Sequence, residues 1–354
     1  MAKAPLGPGR KLLAAAILVA AAGLCAGPAG AADDKALTVV PPVPRTYHPK
    51  TTPWGEPDFR GTWPIDHLNF TPLQRTLAQG DRAFLTDQEY AARVKQLTDR
   101  AAQYATEEKN GKIGMGHWVE VGTPNRRTSL LISPADGQLP PETPEGKRLG
   151  ALMRSSYRAD QKTFDWVTDF DTWDRCITRG MPASMFPFNY NNGIRLFQSP
   201  GVVALQLEMV HETRIIPTDG RASIPVQINN WLGESRGHWE GGNTLVIETD
   251  HLKAGPSATH AGTWGSPRNN DTPISDKARI VERITMTGPD TAVYEVTYTD
   301  PVVFTAPWTA RLDWRRNEKY VLYEYACHEA DVQITGLITS SHAARAQEKA
   351  KAKP

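Results

Sequence analysis

Three neighbouring segments decide the fold: 278-ARIVERITMT-287, 291-TAVYEVTYT-299 and 308-WTARLDWRR-316. Side chains alternate between the two faces of a strand, so Ala292, Tyr294, Val296 and Tyr298 share one face of the middle segment. The polar residues between them share the other face. The turn residues Gly288-Pro289-Asp290 join the first two segments. The pattern predicts antiparallel strands with no helix between them.

Further strand patterns flank these segments on both sides. They are 194-IRLFQ-198, 202-VVALQLEM-209, 213-TRII-216, 243-NTLVIET-249 and 319-KYVLYEYAC-327. At least seven strands in nearly sequential order predict a mainly β protein built as an antiparallel meander. Such a meander either closes into a barrel or folds as a sandwich, and the sequence leaves both open.

Two flanking helices are predicted. Thr86 with Glu89 forms a capping box at the start of a helix over 87–109, and Asn110-Gly111 ends it. A second helix, over 144–158, is predicted to begin at Thr143-Pro144. Its predicted apolar face consists of Leu149, Leu152, Met153 and Tyr157.

The remaining segments suggest a simple domain organisation. Residues 32–60 are rich in proline and lack periodicity, which indicates an extended arm laid on the surface. Residues 61–340 are interpreted as a single β-rich domain. Residues 341–354 form a basic tail, for which a solvated, frayed end is expected.

Residues 1–31 have the pattern of a cleavable signal peptide. Lys3, Arg10 and Lys11 precede a short apolar run over 12–24, and Ala29-Gly30-Ala31 matches a cleavage site. The apolar run is too short to span a bilayer. The sequence therefore predicts a periplasmic or secreted protein with no membrane span in its mature form.

Cys176 and Cys327 are the only cysteines after residue 31. In an oxidising compartment they would most simply form a disulfide, although two separately buried thiols remain an alternative. The formal net charge of the whole chain is +1, and loss of the basic leader leaves the mature chain mildly acidic. This charge does not favour nucleic acid as a partner.

Residues 233–237 match the G-x-S-x-G pattern of serine hydrolases. A nucleophile elbow needs a strand before the serine and a helix after it. Four glycines between 233 and 242 make a helix after Ser235 unfavourable. We interpret the stretch as a loop that turns into the next strand, and not as a serine nucleophile.

Six stretches together resemble a widespread family of exported bacterial proteins of unassigned function. They are 52-TPWGEPDFRGTW-63, 125-NRRTSLLISPADGQLPPETPEGKR-148, 174-DRCITRGMPASMFPFNYNN-192, 208-EMVHETRIIPTDGR-221, 235-SRGHWEGGNTLVIETDHL-252 and 323-YEYACHEA-330. The resemblance implies export and a single-domain architecture. It also implies that the serine-containing stretch is a loop entering a strand, and it implies no particular activity.

A long irregular loop after Cys176 offers four candidate substrate-binding residues. Arg179 could hold a carboxylate or a developing oxyanion. Tyr190 could contact the apolar body of a substrate, and Asn191 and Asn192 could hydrogen-bond a substrate carbonyl. The alternative is that the asparagines only satisfy the backbone of their own loop.

The candidate catalytic residues are His211, Glu324 and His328, and Arg214 is a further candidate for binding substrate. A partly buried histidine could serve as a general base near neutral pH. In a regular strand, however, His211 would continue an apolar face and could be an ordinary core residue. A disulfide at Cys327 would bring Glu324 and His328 near the loop of Arg179. Ordinary surface ion pairs are the alternative for this group.

The histidines show no metal-binding spacing, and the chain has no phosphate loop and no dinucleotide fingerprint, so no metal and no cofactor are predicted. The leading hypothesis is a cofactor-independent enzyme that uses acid–base chemistry on a small organic molecule with an apolar body. Elimination, isomerisation and hydrolysis remain open, as does the oligomeric state. One alternative is a non-catalytic carrier of a hydrophobic ligand. Another is an envelope protein that docks to a partner through its arm and tail.

Overall fold

The computed structural model describes residues 34–352 except 113, 115–116, 118, 121, 226, 256–271 and 330. The predicted signal peptide, residues 1–31, lies outside the described residues. The described residues form α-helices at Asp34–Thr38 (α1), Asp87–Lys109 (α2), Pro144–Leu152 (α3) and Gln333–Lys351 (α4). Their strands are Gly61–Thr62 (β1), Leu131–Ser133 (β2), Ile194–Ser199 (β3), Val202–Leu207 (β4), Thr213–Pro217 (β5), Glu234–Glu240 (β6), Thr244–Asp250 (β7), Arg279–Gly288 (β8), Thr291–Thr299 (β9) and Trp308–Arg315 (β10).

The strands form two antiparallel sheets. The small sheet has the order β1-β3-β4-β5, and the large sheet has the order β2-β10-β9-β8-β7-β6. One hydrophobic core contains residues of both sheets, such as Leu205 and Ile216 of the small sheet and Ile280 and Trp308 of the large sheet. The two sheets do not close into one barrel in the described part of the chain. Of the two predicted architectures, the structure therefore has the sandwich.

The predicted alternation in β9 is confirmed. Ala292, Tyr294, Val296 and Tyr298 are all buried, whereas the residues between them are partly exposed. The ring of Tyr298 stacks on Trp308 of the neighbouring strand, with 5.2 Å between ring centroids. The inward face of the large sheet is thus lined with aromatic rings.

The predicted strand over 319–327 is wrong, because this segment has no regular structure. The edge of the large sheet beside β10 is already occupied by β2. The backbone N–H of Tyr323 instead donates to a side-chain oxygen of Glu208, at 2.8 Å. The segment is thus held by side-chain contacts rather than by a ladder of backbone hydrogen bonds.

The stretch around Ser235 is a strand and not the predicted loop. It forms β6, and Gly241-Gly242, both with positive φ, make the turn into β7. The Ser235 hydroxyl is buried, contacts Thr249 Oγ1 at 2.8 Å and accepts a hydrogen bond from Arg214. The element after β6 is another strand, so the geometry of a nucleophile elbow is not present here.

Helix α2 has its predicted bounds, and Thr86 and Glu89 form the predicted capping box. Helix α3 begins as predicted after Thr143, but it ends at Leu152 rather than near residue 158. Leu152 is exposed and Tyr157 lies beyond the helix, so the predicted apolar face is wrong at these positions.

The arm over 32–60 begins with the short helix α1 and then continues without regular structure over 39–50. It follows the large sheet, since Asn243 donates to the Tyr47 carbonyl oxygen and Arg311 donates to the Pro41 carbonyl oxygen. Among the described helices, none has both the length and the apolar character that crossing a membrane requires.

The frayed tail expected over 341–354 is instead part of helix α4 as far as Lys351. The Ser341 hydroxyl is buried and accepts a hydrogen bond from the Phe164 backbone N–H, at 2.9 Å. Arg345 pairs with Asp165. These contacts fix the C-terminal helix to the segment that precedes the cysteine loop.

Candidate functional site

Two cavities meet at Tyr190, Tyr325 and Cys327, which line both of them. We call the first cavity, of about 690 Å³, the Glu120 lobe, and the second, of about 470 Å³, the Trp173 lobe. Both volumes lie within the range of small-molecule sites, roughly 300–1,000 Å³. Together the two lobes form the cleft that we consider the candidate functional site.

The predicted disulfide is confirmed, and it lies at the centre of the cleft. Cys176 and Cys327 are 151 residues apart in the sequence and are bonded to each other. The bond fixes the loop that follows Cys176 against the irregular segment before Cys327. The sequence predicted this proximity from the cysteines, and the segments that they join supply most of the walls of the cleft.

Three of the predicted site residues line the Glu120 lobe, namely Tyr190, Asn191 and Glu324. Asn192 lies behind the wall: its Nδ2 donates to the Phe188 carbonyl oxygen at 2.7 Å, and its Oδ1 accepts from the Phe188 N–H. Asn192 therefore satisfies the backbone of its own loop, which was the alternative interpretation of the asparagines.

Arg179 is placed behind the cleft and does not line either lobe. Its side chain is buried, and the guanidinium carbon lies 4.6 Å from the ring centroids of both Trp173 and Phe188. Burial lowers the pKa of Arg179 to about 10, although the neighbouring Glu212 carboxyl raises it. The stacked guanidinium supports Trp173 from behind, so its position does not suit it to bind a ligand in the cleft.

The predicted histidines and Arg214 do not line the cleft either. The strand that was expected to carry His211 ends at Leu207, so His211 is exposed and does not continue an apolar face. Its Nδ1 lies 3.0 Å from the Tyr325 carbonyl oxygen. His328 is also exposed. Arg214 lies in the interior of the sandwich, where it pairs with Glu282.

Glu120 lines the Glu120 lobe and is held from behind by Glu208 and Tyr320, and none of these three residues was chosen as a site candidate from the sequence. The Tyr320 hydroxyl lies 2.9 Å from Glu120 Oε1 and 2.9 Å from Glu208 Oε2. Asn191 bridges the same two acids, because its backbone N–H donates to Glu120 at 2.9 Å and its Nδ2 donates to Glu208 at 3.1 Å. Asn192 Nδ2 donates to the second oxygen of Glu120, at 2.8 Å. We call Glu120, Glu208 and Tyr320 the acid pair and its tyrosine.

The acid pair is arranged to hold a proton. A phenol carries one hydrogen, so Tyr320 can donate to only one of the two carboxyl groups. The other contact is a hydrogen bond only if that carboxyl group is itself protonated. Burial raises the pKa of the Glu120 carboxyl, and the charge of Glu208 raises it further, against hydrogen bonds from Asn192 and Tyr320 that lower it. A carboxyl group whose pKa is raised keeps its proton to a higher pH than a free carboxylic acid does, so it can serve as a proton donor.

Strained backbone surrounds the cleft. Five described residues other than glycine have positive φ, and four of them, Cys176, Asn191, Val210 and His211, line the cleft or contact its lining residues. Val210 is β-branched, and its φ of 58° is unfavourable for such a residue. Residues in sparsely populated backbone conformations cluster at functional sites, so this distribution indicates that the cleft is the functional site.

The turn that carries Trp173 is capped by Asp171. Asp171 Oδ1 accepts from the backbone N–H groups of Trp173 and Asp174, both at 2.8 Å. Burial raises the pKa of Asp171 to about 6, and the Asp174 charge adds to this rise. Because the pKa is higher in the folded state than the ordinary value of 3.8, the folded protein binds more protons between about pH 4 and pH 6 than the unfolded chain does.

We therefore expect the contribution of Asp171 to the free energy of unfolding of the wild type to fall as pH rises from about 4 to 7. The variant Asp171→Asn should not show this fall, because it has no carboxyl group to ionise there. The amide keeps an oxygen for the two backbone donors and carries no charge. The variant should gain about 2–3 kcal/mol relative to the wild type across this range. Urea unfolding at several pH values measures the difference. Asp99→Asn, on the exposed face of α2, should show no such gain, and an equal pH profile for Asp171→Asn and wild type would contradict the prediction.

A separate group, Glu234, Asp250 and His251, has ligand atoms within 4.8 Å of one another and could hold a metal ion. However, Asp250 already faces two guanidinium groups, those of Arg236 and Arg279, at 3.8 and 3.5 Å. Its other oxygen lies 2.5 Å from His251 Nδ1. These contacts give the group the form of a surface ion-pair network, and we do not assign it a metal.

No protein-family model, no curated protein and no solved structure matches this chain. Its function must therefore be inferred from the geometry of the cleft.

The sequence carries little signal that would have identified Glu120, Tyr320 and Glu208 as residues of the site. Glu120 follows the end of α2 in a stretch without periodicity, and Tyr320 lies in the segment mistaken for a strand. Glu208 stands directly after β4, and the sequence shows its position but not its partners. Asn191 and Asn192 precede Glu208 by more than ten residues in the chain, and only the folded structure brings them together with Glu208 and Glu120.

Proposed function

We propose that this protein is an exported enzyme that carries out acid–base chemistry with its own side chains on a small organic molecule with an apolar body. The observation that carries the proposal is the acid pair and its tyrosine, of which Glu120 lies in the wall of a cavity of about 690 Å³ and the other two residues contact Glu120 or its tyrosine from behind. The disulfide supports the exported location, because such bonds persist in oxidising compartments.

Glu120 is the proposed proton-transfer group, in place of the histidines that the sequence favoured. It lines the lobe, whereas Glu208 is buried behind it. When the Glu120 carboxyl gives its proton to a substrate, Tyr320 and Asn191 can stabilise the resulting carboxylate by donating hydrogen bonds to it. The reverse transfer makes Glu120 a general base. Tyr190, Tyr323 and Tyr325 provide surface for the apolar body of the substrate.

Glu120→Gln tests the proposal, because it keeps the size of the side chain and removes the titrating group. Once a turnover has been found by screening small organic substrates, we expect this variant to lose at least about 100-fold in kcat. Glu108→Gln, an exposed glutamate near the end of α2, is the matched control and should keep full activity. Turnover that is equal in Glu120→Gln and wild type would rule out the proposed role of Glu120.

The state of the acid pair can also be measured without a substrate. The infrared difference spectrum between wild type and Glu120→Gln at pH 7 should contain the carbonyl band of a protonated carboxyl group. The control variant Glu108→Gln should give no such band. A difference spectrum that contains only carboxylate bands would contradict the shared proton.

The second candidate function is a carrier that binds a hydrophobic ligand without changing it. The aromatic lining of the cleft favours this candidate, since Tyr190, Tyr323 and Tyr325 would contact such a ligand equally well. A carrier should bind its ligand with an affinity that is insensitive to Glu120→Gln. It should return the ligand chemically unchanged after long incubation, which mass spectrometry of the extracted ligand would show.

A further inference from the structure

The Trp173 lobe is lined by aromatic rings from several parts of the chain. Trp173 and Tyr157 lie with their ring centroids 6.3 Å apart. Phe170 also lines this lobe, and Tyr190 and Tyr325 line it on the side where the two lobes meet. Burial raises the pKa of the Tyr190 phenol, and the neighbouring Tyr325 phenol raises it further, so Tyr190 presents a neutral hydroxyl.

The charged residues of the lobe all have the same sign. Asp174, Glu329 and Asp331 line the Trp173 lobe, and Glu324 lines the adjoining lobe beside Glu120, the proposed holder of a proton. Among the described residues that line either lobe, none is a lysine, an arginine or a histidine. The cleft therefore presents carboxylates and ring surfaces to whatever enters it.

The buried guanidinium of Arg179 does not offset this charge. Arg179 stacks on Trp173 from outside the lobe, and the charge of Glu212 lies close to it. Glu212 Oε1 accepts a hydrogen bond from the Arg179 backbone N–H, at 3.0 Å. Since Arg179 and Glu212 oppose each other, and Arg175 interacts with Asp174, the carboxylates of Glu329 and Asp331 are left to set the potential of the lobe.

Rings and carboxylates together favour a particular class of ligand. A cation placed over aromatic faces is attracted by their quadrupoles, and alkylated ammonium groups suit such sites because they are large and weakly hydrated. Carboxylates at the rim add a longer-range attraction. A neutral apolar ligand would use the rings but would leave the carboxylates without a role.

We propose that the Trp173 lobe binds the alkylated ammonium head of a cationic organic substrate. The remainder of the substrate then extends past Tyr190 and Tyr325 into the adjoining lobe, where Glu120 stands. This inference names the substrate class of the proposed enzyme and in that respect rests on the proposed function. The binding that it requires can be measured independently of turnover.

The test compares choline with 3,3-dimethyl-1-butanol, a neutral molecule of the same shape, by isothermal titration calorimetry on residues 32–354. We expect choline to bind at least about tenfold more tightly than the alcohol. Equal affinity for the two, or no measurable binding of choline, overturns the proposal. High salt should weaken choline binding and leave binding of the alcohol almost unchanged.

Variants of residues that line the Trp173 lobe test whether choline binds there. Tyr157 is 61 % exposed, so its replacement should not unfold the protein. Tyr157→Ala should weaken choline binding about tenfold, whereas Tyr157→Phe, which keeps the ring, should bind choline like the wild type. The double variant Glu329→Gln/Asp331→Asn should lower the affinity for choline but not for the alcohol, and Glu108→Gln should change neither. Choline binding that is unaffected by Tyr157→Ala and by the double variant places the cation elsewhere and overturns the proposal.

The two proposals fail in different ways. A turnover that depends on Glu120, in a protein that does not prefer choline over its neutral isostere, overturns only the substrate class. A clear preference for choline, with a turnover that does not depend on Glu120, overturns only the proposed chemistry.

Discussion

Replacing Glu282 with glutamine should lower the free energy of unfolding by about 3–5 kcal/mol, because it leaves a buried arginine without its counter-charge. Arg214 projects from β5 of the small sheet, and Glu282 projects from β8 of the large sheet. Their side chains are 2 % and 0 % exposed, and two nitrogens of Arg214 contact the two oxygens of Glu282 at 2.8 and 2.5 Å.

The groups around this ion pair show which contacts of Glu282 a glutamine could replace and which it could not. The Tyr294 hydroxyl donates to Glu282 at 2.9 Å, and Arg214 also donates to the hydroxyls of Ser235 and Thr249. Glutamine at position 282 can replace some of these hydrogen bonds, but it cannot supply the negative charge. The guanidinium then remains ionised in a dry interior, which is the costly part of the change.

Urea unfolding followed by circular dichroism measures the effect of Glu282→Gln. Glu248→Gln is the matched control, since Glu248 lies in the same sheet with its side chain exposed, and a change within about 0.5 kcal/mol is expected there. The double variant Arg214→Met/Glu282→Met should recover most of the lost stability, because it removes both charges. A loss below about 1 kcal/mol in Glu282→Gln would mean that the ion pair is not desolvated in solution.

Removing the disulfide should have a similarly large effect on stability. The double variant Cys176→Ala/Cys327→Ala should lose about 5 kcal/mol, because a bond between residues 151 positions apart strongly restricts the unfolded chain. The loss should be accompanied by weaker binding in the cleft, since Cys327 lines both lobes. Thermal unfolding and the choline titration measure the two consequences.

A reducing agent provides the control for this prediction. It should bring the wild type down to the stability of the double variant, and it should leave the double variant unchanged. Titration of thiols in the unfolded, unreduced protein without residues 1–31 should find none. Two free thiols there, or a wild type whose stability does not respond to the reductant, would contradict the prediction.

The sequence by itself determined the features that depend on local pattern. Alternation of apolar and polar residues identified β9, since residues two apart on a strand share a face whatever the strand packs against. The capping box of Thr86 and Glu89 located the start of α2, because those contacts lie within one turn of helix. The disulfide was the simplest interpretation of two cysteines in an oxidising compartment, and the structure excluded the alternative of two separate thiols.

Local pattern misled where a segment's partners are distant. The segment over 319–327 alternates like a strand, but β2 occupies the sheet edge beside β10, and Tyr323 of the segment bonds to the side chain of Glu208 instead. Ser235 stands among glycines, yet pairing with β7 makes its stretch a strand. In each case tertiary contacts outweighed the local preference: side-chain contacts hold 319–327 out of a sheet, and pairing along the whole of β7 draws the Ser235 stretch into one.

Only the tertiary structure decided the candidate site. Tyr320 lies 200 residues from Glu120 and 112 residues from Glu208, and nothing in the periodicity of the chain links the three. The sequence favoured histidines because their ordinary pKa is close to neutral. The fold instead partly buries Glu120 beside a second acid, and burial and the neighbouring charge raise its pKa. These are properties of the three-dimensional surroundings of a side chain, so its position in the sequence does not record them.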